Sequence, residues 1–153
     1  MARRVLIAGN WKMNGLKADG LSLASEVASR MKSESSPKFD MLVCPAATLL
    51  SPVIDAVAGS GVAVGGQDCH MDEKGAHTGD ISAWMFKDLG CTYAIVGHSE
   101  RRTDHGETDA MVKAKAEAAL AAGLRQPERC RTGRIAECGT REERRKARPR
   151  RPG

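Results

Sequence analysis

Residues 5–14 have the sequence VLIAGNWKMN, in which a short apolar run ends at a glycine and polar side chains follow. An uninterrupted apolar run of this length is typical of a parallel strand that is buried on both faces. Three more such runs, each ending at a proline or a glycine, occur at residues 41–44, 62–64 and 93–96. The chain therefore contains four predicted strands.

Helical patterns separate and follow these strands. Apolar side chains recur at helical spacing over residues 21–31, 50–57 and 81–89. A longer alanine-rich pattern has Thr108 as a candidate N-terminal cap and ends at Gly123. The alternation predicts an α/β fold of about four strand–helix units in which parallel strands are joined by right-handed crossovers.

The charge divides the chain at Leu124. The net charge is +5, yet residues 1–124 hold 13 Lys and Arg against 15 Asp and Glu, whereas residues 125–153 hold 11 against 4. Ten residues of this second segment are arginine, and Ile135 is its single large aliphatic side chain. Such a composition cannot bury enough apolar surface to offset the entropy of ordering. We therefore expect a folded unit at 1–124 and a disordered, arginine-rich tail at 125–153.

The composition excludes several classes of protein. No apolar run approaches the ~20 residues that a membrane helix requires, and the first apolar run is too short for a secretory signal. The five cysteines form neither a disulfide framework nor a CxxC pair. Cys69, His70 and His77 do not have the spacing of zinc ligands, and no glycine pattern typical of nucleotide sites occurs. We expect a cytoplasmic protein with no metal and no cofactor.

Polar side chains follow the first and fourth strands, and function in parallel α/β proteins gathers at the carboxyl ends of strands. Asn10, Trp11 and Lys12 place an amide, an aromatic ring and an ammonium at the end of the first strand. His98 follows the fourth strand and precedes a short helical turn. Amide N–H groups at a helix start favour negative charge, so they should keep the His98 ring neutral and able to donate a hydrogen bond.

Three motifs carry a family resemblance. They are GNWKMN at 9–14, GAHTGD at 75–80 and VGHSERR at 96–102. In this order and at these separations they resemble the triosephosphate isomerase family. The resemblance extends from about Val5 to Leu124, which corresponds to the N-terminal half of that family. It implies a truncated (β/α)8 barrel.

The resemblance also implies roles for single residues. Lys12 would attract the substrate phosphate and the negative charge that develops on the enediolate oxygen. Asn10 would orient that oxygen, and Trp11 would be a further substrate-binding residue. His98 would polarise the carbonyl, and Glu100 would support the catalytic group near Lys12.

The substrate and partners implied by the resemblance are a triose phosphate and a second subunit. The reaction would interconvert dihydroxyacetone phosphate and glyceraldehyde 3-phosphate without a cofactor. Thr78 would reach the neighbouring subunit of a homodimer. The general-base glutamate, the closing loop and the later phosphate loops of the family have no counterpart in these 153 residues, so we expect the chain alone to be inactive.

Two alternatives remain at the level of the sequence. In the first, the chain is a non-catalytic fragment that pairs with a full-length homologue. In the second, it is a basic remnant that binds nucleic acid through its tail. The tail lacks aromatic side chains for base stacking and any nucleic-acid-binding motif, and this composition argues against the second alternative. Residues 138–144 resemble the stretch after the family's fifth strand, which suggests a shifted reading frame, and the coding DNA would decide this.

Overall fold

A computed structural model of the chain describes residues 4–127 and 136–137. Strands and helices alternate in the predicted order, with a 3-10 turn (Ala47–Leu49) before the second helix. The elements are β1 (Val5–Asn10), α1 (Lys17–Ser33), β2 (Phe39–Cys44), α2 (Leu50–Val57), β3 (Val62–Gly66), α3 (Ala83–Leu89), β4 (Tyr93–Ala94), α4 (Ser99–Asp104), α5 (Asp109–Ala121) and β5 (Ala136–Glu137). Thr108 caps α5 as predicted, since its hydroxyl accepts a hydrogen bond from the backbone N–H of Met111.

The strands form one parallel sheet in the order β4-β3-β2-β1-β5. Ala8 pairs with Leu42 in the register of β1 and β2, and Leu42 pairs in turn with Ala63 of β3. Strands β1 to β4 with their helices form half of a (β/α)8 barrel, which confirms the predicted fold class. All four strands therefore direct their carboxyl ends to the same edge.

Two apolar layers lie on opposite faces of the sheet. The larger layer packs against the helices and includes Val43 of β2 and Val53 of α2. The smaller layer contains Leu42 and Cys44, the residues that alternate with Val43 along β2. Because successive side chains of a strand point to opposite faces, β2 contributes to both layers.

The first strand is less buried than the sequence predicts. The side chains of Val5 and Ile7 are 60% and 37% exposed, although the apolar run favoured burial on both faces. Both residues lie on the face opposite to Ala8, near the edge of the four-strand array. β5 pairs with β1 only at Gly9 and Asn10, so at Val5 and Ile7 the strand has β2 as its one described neighbour, and an apolar run alone does not determine how far that part is covered.

The structure also refines the segment boundary. Leu124 is buried, and beyond it the backbone N–H of Arg125 donates to Thr92 O while the N–H of Ala94 donates to Arg125 O. Ala136 and Glu137 pair with Gly9 and Asn10 of β1. Residues 125–127 and 136–137 are thus placed against the sheet, although we expected disorder throughout the tail. Disorder at 128–135 and 138–153 remains a prediction on residues outside the described ones.

The hydropathy of the helices bears on whether any of them could cross a membrane. Across the described ranges 4–127 and 136–137, no helix combines the length and apolarity that crossing a membrane requires.

Candidate active site

Lys12 and Glu100 form an ion pair across the carboxyl end of the sheet. Lys12 follows β1 and Glu100 lies in the first turn of α4, and the distance between Lys12 Nζ and Glu100 Oε1 is 2.6 Å. The hydrogen bond from Lys12 lowers the pKa of Glu100 below its usual value, an effect that outweighs partial desolvation. Both groups are therefore charged at neutral pH, and the ammonium is held in one place.

The backbone at Lys12 adopts a left-handed conformation, with φ of 55°. Side chains with a Cβ rarely adopt this region because the Cβ crowds the carbonyl oxygen. Two side chains hold the Lys12 backbone in this conformation. Asn10 Oδ1 accepts from the Lys12 N–H at 2.9 Å, and Gln67 Nε2 donates to Lys12 O at 2.8 Å. The same Gln67 nitrogen donates to Cys44 O at 2.9 Å, which joins the ends of β1, β2 and β3.

Sequence reasoning did not single out Gln67. The signal that was available is its position, since Gln67 is the first residue after β3, as Trp11 and Lys12 follow β1. A side-chain amide at a strand end has no distinctive spacing, however, and only the structure shows which carbonyls it reaches.

His98 is the residue that precedes α4, and its ring is largely buried. Its Nδ1 accepts a hydrogen bond of 3.2 Å from the backbone N–H of Glu100. An accepting Nδ1 carries a lone pair, so the proton of the neutral ring is on Nε2. The contact at Nδ1 leaves Nε2 as the ring nitrogen that can reach a ligand, and the neutral state of the ring remains a prediction.

Asn10 and Trp11, the other two candidate residues at the end of β1, differ in what surrounds their side chains. Asn10 is buried, and its Oδ1 is occupied by Lys12, so its amide nitrogen is the group that it can offer as a donor. Trp11 is only 4% exposed and belongs to the helix-facing apolar core. The indole packs beside Gly20 and supports the loop from within, and the expected contact between Trp11 and substrate remains a prediction.

Thr78 lies on an exposed turn between β3 and α3, where the N–H of Asp80 donates to His77 O. The predicted subunit contact of Thr78 requires a second chain, so it remains a prediction.

A network of four charged side chains supports the site from behind α4. Arg101 Nε lies 2.6 Å from Glu107 Oε1 and 3.0 Å from Asp68 Oδ2. Lys115 Nζ contacts both carboxylates, at 2.7 Å for Asp68. Burial would raise the pKa of Glu107, but the hydrogen bonds from Lys115 and Arg101 lower it below its usual value. For Asp68 burial prevails and raises the pKa. The network links the loop after β3 to α4 and α5.

The described cysteines are not nucleophiles. Burial raises the pKa of Cys44 to about 12 and the pKa values of Cys69 and Cys91 to about 11. A thiol in this state is protonated at neutral pH and behaves as a small apolar side chain. Cys44 is the last residue of β2, and Cys91 lies two residues before β4.

One group of side chains has the chemistry of a metal site, which the sequence spacing did not predict. His70, His77 and Asp80 each place one potential ligand atom within 4.8 Å of the others. The long loop between β3 and α3 brings them together, and a fixed sequence interval does not report such a loop.

The fold and the strand-end residues define half of a (β/α)8 barrel whose charged groups meet at the carboxyl edge of the sheet. The family model described as triosephosphate isomerase matches residues 5–137. This chain belongs to the triosephosphate isomerase family.

Individual relatives agree with the family match. The triosephosphate isomerase of Afipia carboxidovorans is 62% identical over 121 residues, which cover 79% of this chain and 47% of the relative. That of Xanthobacter autotrophicus is 56% identical over 123 residues, covering 80% and 48%. The crystal structure of triosephosphate isomerase from Bartonella henselae superimposes with a TM-score of 0.72 at 47% identity, covering 81% of this chain and 50% of that one. The chain thus spans about half the length of the relatives that it matches.

Proposed function

We propose that this chain supplies the electrostatic half of a triosephosphate isomerase site, in which dihydroxyacetone phosphate and glyceraldehyde 3-phosphate are interconverted. The observation that carries the proposal is the placement of Lys12 and His98 at one edge of the sheet, both fixed through Glu100. Lys12 forms an ion pair with the Glu100 carboxylate, and His98 Nδ1 accepts from the Glu100 N–H.

These groups suit a proton transfer next to a carbonyl. When a base removes a proton from the carbon beside the carbonyl, the electron pair forms a carbon–carbon double bond and negative charge moves to the carbonyl oxygen. The Nε2–H of His98 donates to that oxygen, and the Lys12 ammonium stabilises its charge and binds the phosphate. Donors and charges that are fixed before reaction stabilise the transition state without reorganisation.

Among residues 4–127, the carboxylates nearest to this site are poor proton acceptors. Glu100 is a poor base because Lys12 holds its carboxylate and lowers its pKa. Glu107 is buried and bound to Arg101 and Lys115. The resemblance places the general-base glutamate in the half of the family that this chain does not span. Loss of a general base costs ~10²–10⁴ in rate, so we propose that the 153-residue chain alone does not isomerise its substrate.

The experiment combines this chain with the complementary half of a relative. The C-terminal half of the Afipia carboxidovorans protein is produced separately, mixed with the chain, and assayed by coupled dehydrogenase kinetics. We expect no turnover from either half alone and measurable turnover from the mixture. The same mixture with His98→Ala should lose that activity, while His105→Ala, which changes an exposed histidine after α4, should keep it.

Two results would contradict the proposal. If the isolated chain turns over substrate and His98→Ala abolishes that turnover, a residue of this chain acts as the base. After Glu100 and Glu107, the remaining candidate carboxylate in the segment that follows β4 is Asp104. Turnover by the mixture that survives His98→Ala would remove His98 from the mechanism.

A second subunit is part of the proposal. Exposed Thr78 is the expected contact point of a homodimer, and the exposed Val5 and Ile7 give β1 an apolar surface to bury against a homologous partner. Sedimentation of the chain with Thr78→Arg tests the dimer: a shift toward monomer supports it, and an unchanged dimer excludes Thr78 from the interface. A cytoplasmic location remains a prediction. Apart from Arg125, the tail arginines that carried the nucleic-acid alternative lie outside the described residues.

A further inference from the structure

Two imidazole rings stack on the surface loop between β3 and α3. The ring centroids of His70 and His77 lie 3.9 Å apart, and the rings are inclined by 27°. Asp80 Oδ2 lies 3.8 Å from His70 Nε2. His70 is the less exposed of the two rings, at 18%, while the side chains of His77 and Asp80 are 36% and 55% exposed. The three groups are therefore close together and open to solvent on one side.

The loop backbone fixes these groups in relation to one another. The N–H of His70 donates to Ile81 O, and the N–H of Asp80 donates to His77 O, so the two ends of the loop are bound together. Gly75 lies so close to the His77 ring that a Cβ there would be 2.7 Å from Nε2. Because glycine has no Cβ, residue 75 leaves room for the His77 ring to lie over His70.

Asp72 supplies the outer contacts that a histidine ligand requires. Its Oδ2 is 2.9 Å from His77 Nε2 and 3.9 Å from His70 Nδ1, and its backbone N–H donates to His70 Nδ1 at 3.0 Å. In metal sites the ring nitrogen that does not bind the ion usually donates to a carboxylate or a carbonyl, which fixes the tautomer. One carboxylate lies within reach of both rings.

We propose that His70, His77 and Asp80 bind a divalent transition-metal cation of the zinc type. Two imidazoles and one carboxylate are a ligand set found at zinc sites that keep a fourth position for water. Metal–ligand bonds are ~2.0–2.2 Å, which places ligands ~3–3.5 Å apart. Ligand atoms within 4.8 Å of one another reach that spacing through a shift of about 1.5 Å in partly exposed side chains.

Binding changes the tautomer of His70. Its Nδ1 now accepts from the Asp72 N–H, so a neutral ring carries its proton on Nε2. When the cation takes Nε2, the proton moves to Nδ1, where Asp72 Oδ2 accepts it in place of the lost backbone bond. No net proton is released from this ring, and the lost hydrogen bond makes the affinity lower than that of a fully preformed site.

The test uses Co²⁺ as a spectroscopic probe and Zn²⁺ as a competitor. The chain has five cysteines, of which Cys130 and Cys138 lie outside the described residues, so the background variant carries Cys130→Ser and Cys138→Ser. We expect visible Co²⁺ absorption at one equivalent, displaced by Zn²⁺ and not by Mg²⁺. His70→Asn and His77→Asn should each weaken binding at least tenfold, and Asp72→Asn about 10–100-fold. His105→Asn is the matched control and should change nothing.

Histidine NMR provides a readout that does not depend on activity. The chain has four histidines, so their side-chain resonances are separable. Zn²⁺ should shift the His70 and His77 resonances and leave those of His98 and His105 in place. Equal Co²⁺ affinity in the His70→Asn and His77→Asn variants would overturn the proposal, as would displacement by Mg²⁺ or shifts confined to His98 and His105. If a variant fails to fold, the NMR shifts of the background chain test the proposed metal site without it. The site shares its loop with Thr78, the proposed subunit contact, so the metal titrations are made at a protein concentration at which sedimentation shows a monomer, and their outcome does not depend on isomerase activity.

Discussion

The Lys12 ammonium and the Glu100 carboxylate meet at 2.6 Å although 88 residues separate them in the chain. The contact joins the end of β1 to the start of α4, and it fixes the ammonium beside the His98 ring. Glu100 is half-exposed, so the pair adds little to stability. Its consequence is the position of the positive charge.

Backbone strain at Lys12 should be measurable with a matched pair of substitutions. Lys12→Gly and Lys12→Ala both remove the ammonium, but only glycine adopts a φ of 55° without steric cost. We expect the glycine variant to be about 1 kcal/mol more stable than the alanine variant in urea unfolding. Equal stabilities would show that the backbone at residue 12 relaxes when the side chain is shortened.

Gln67 should stabilise the strand ends through its two carbonyl contacts. Gln67→Met keeps the side-chain length and removes the donor that serves Lys12 O and Cys44 O. We expect a loss of about 1–3 kcal/mol in the free energy of unfolding, because partly buried carbonyls lose their partner. In the mixture with the complementary half, turnover should fall as well. A neutral effect on both quantities would show that water replaces the amide.

The charge network behind α4 should depend on Lys115. Lys115→Met leaves Asp68 and Glu107 with Arg101 as their remaining cation among the described contacts, and breaking a buried ion pair costs about 3–5 kcal/mol. Thermal unfolding measures the loss. Lys113→Met, on the exposed face of the same helix, is the control and should change stability by less than about 0.5 kcal/mol. Similar losses in the two variants would contradict a specific role of the network.

Acid should weaken the fold through Glu107. Its pKa in the folded chain is below its usual value, near ~4.3 when unfolded. The unfolded state therefore binds more protons in that range, and the stability that Glu107 contributes is complete above ~4.3 and is lost as the pH falls through the folded pKa. We expect Glu107→Gln to be less stable than the parent at pH 7 but to lose less stability as the pH falls below ~4. Parallel pH profiles would contradict the shift.

Two truncations test where the folded unit ends. A chain that ends at residue 127 keeps the two backbone hydrogen bonds between Arg125 and the strand residues Thr92 and Ala94, whereas a chain that ends at residue 124 loses them. Both truncations remove β5, so the comparison isolates residues 125–127, which carry these bonds. At about 1 kcal/mol each, we expect the shorter chain to unfold at lower urea concentration. Equal midpoints would return the boundary to Leu124, where the charge pattern placed it.

The amino-acid sequence alone determined the order of the strands and helices and the residues that follow each strand. Apolar runs that end at glycine or proline, the Thr108 cap and the helix start after His98 are local features. Local features depend on backbone sterics and on burial within one element, so they can be predicted without knowledge of the remaining contacts.

Only the tertiary structure decided which side chains meet. The sheet register brings Gln67 to the carbonyl of Lys12, and the loop after β3 stacks His77 on His70, although their spacing predicted no metal site. The side chain of Trp11 lies in the core, and β1 remained partly exposed against expectation, because burial depends on which neighbours cover a residue. Contacts between distant residues follow from strand register and crossover geometry, and no local pattern contains that information.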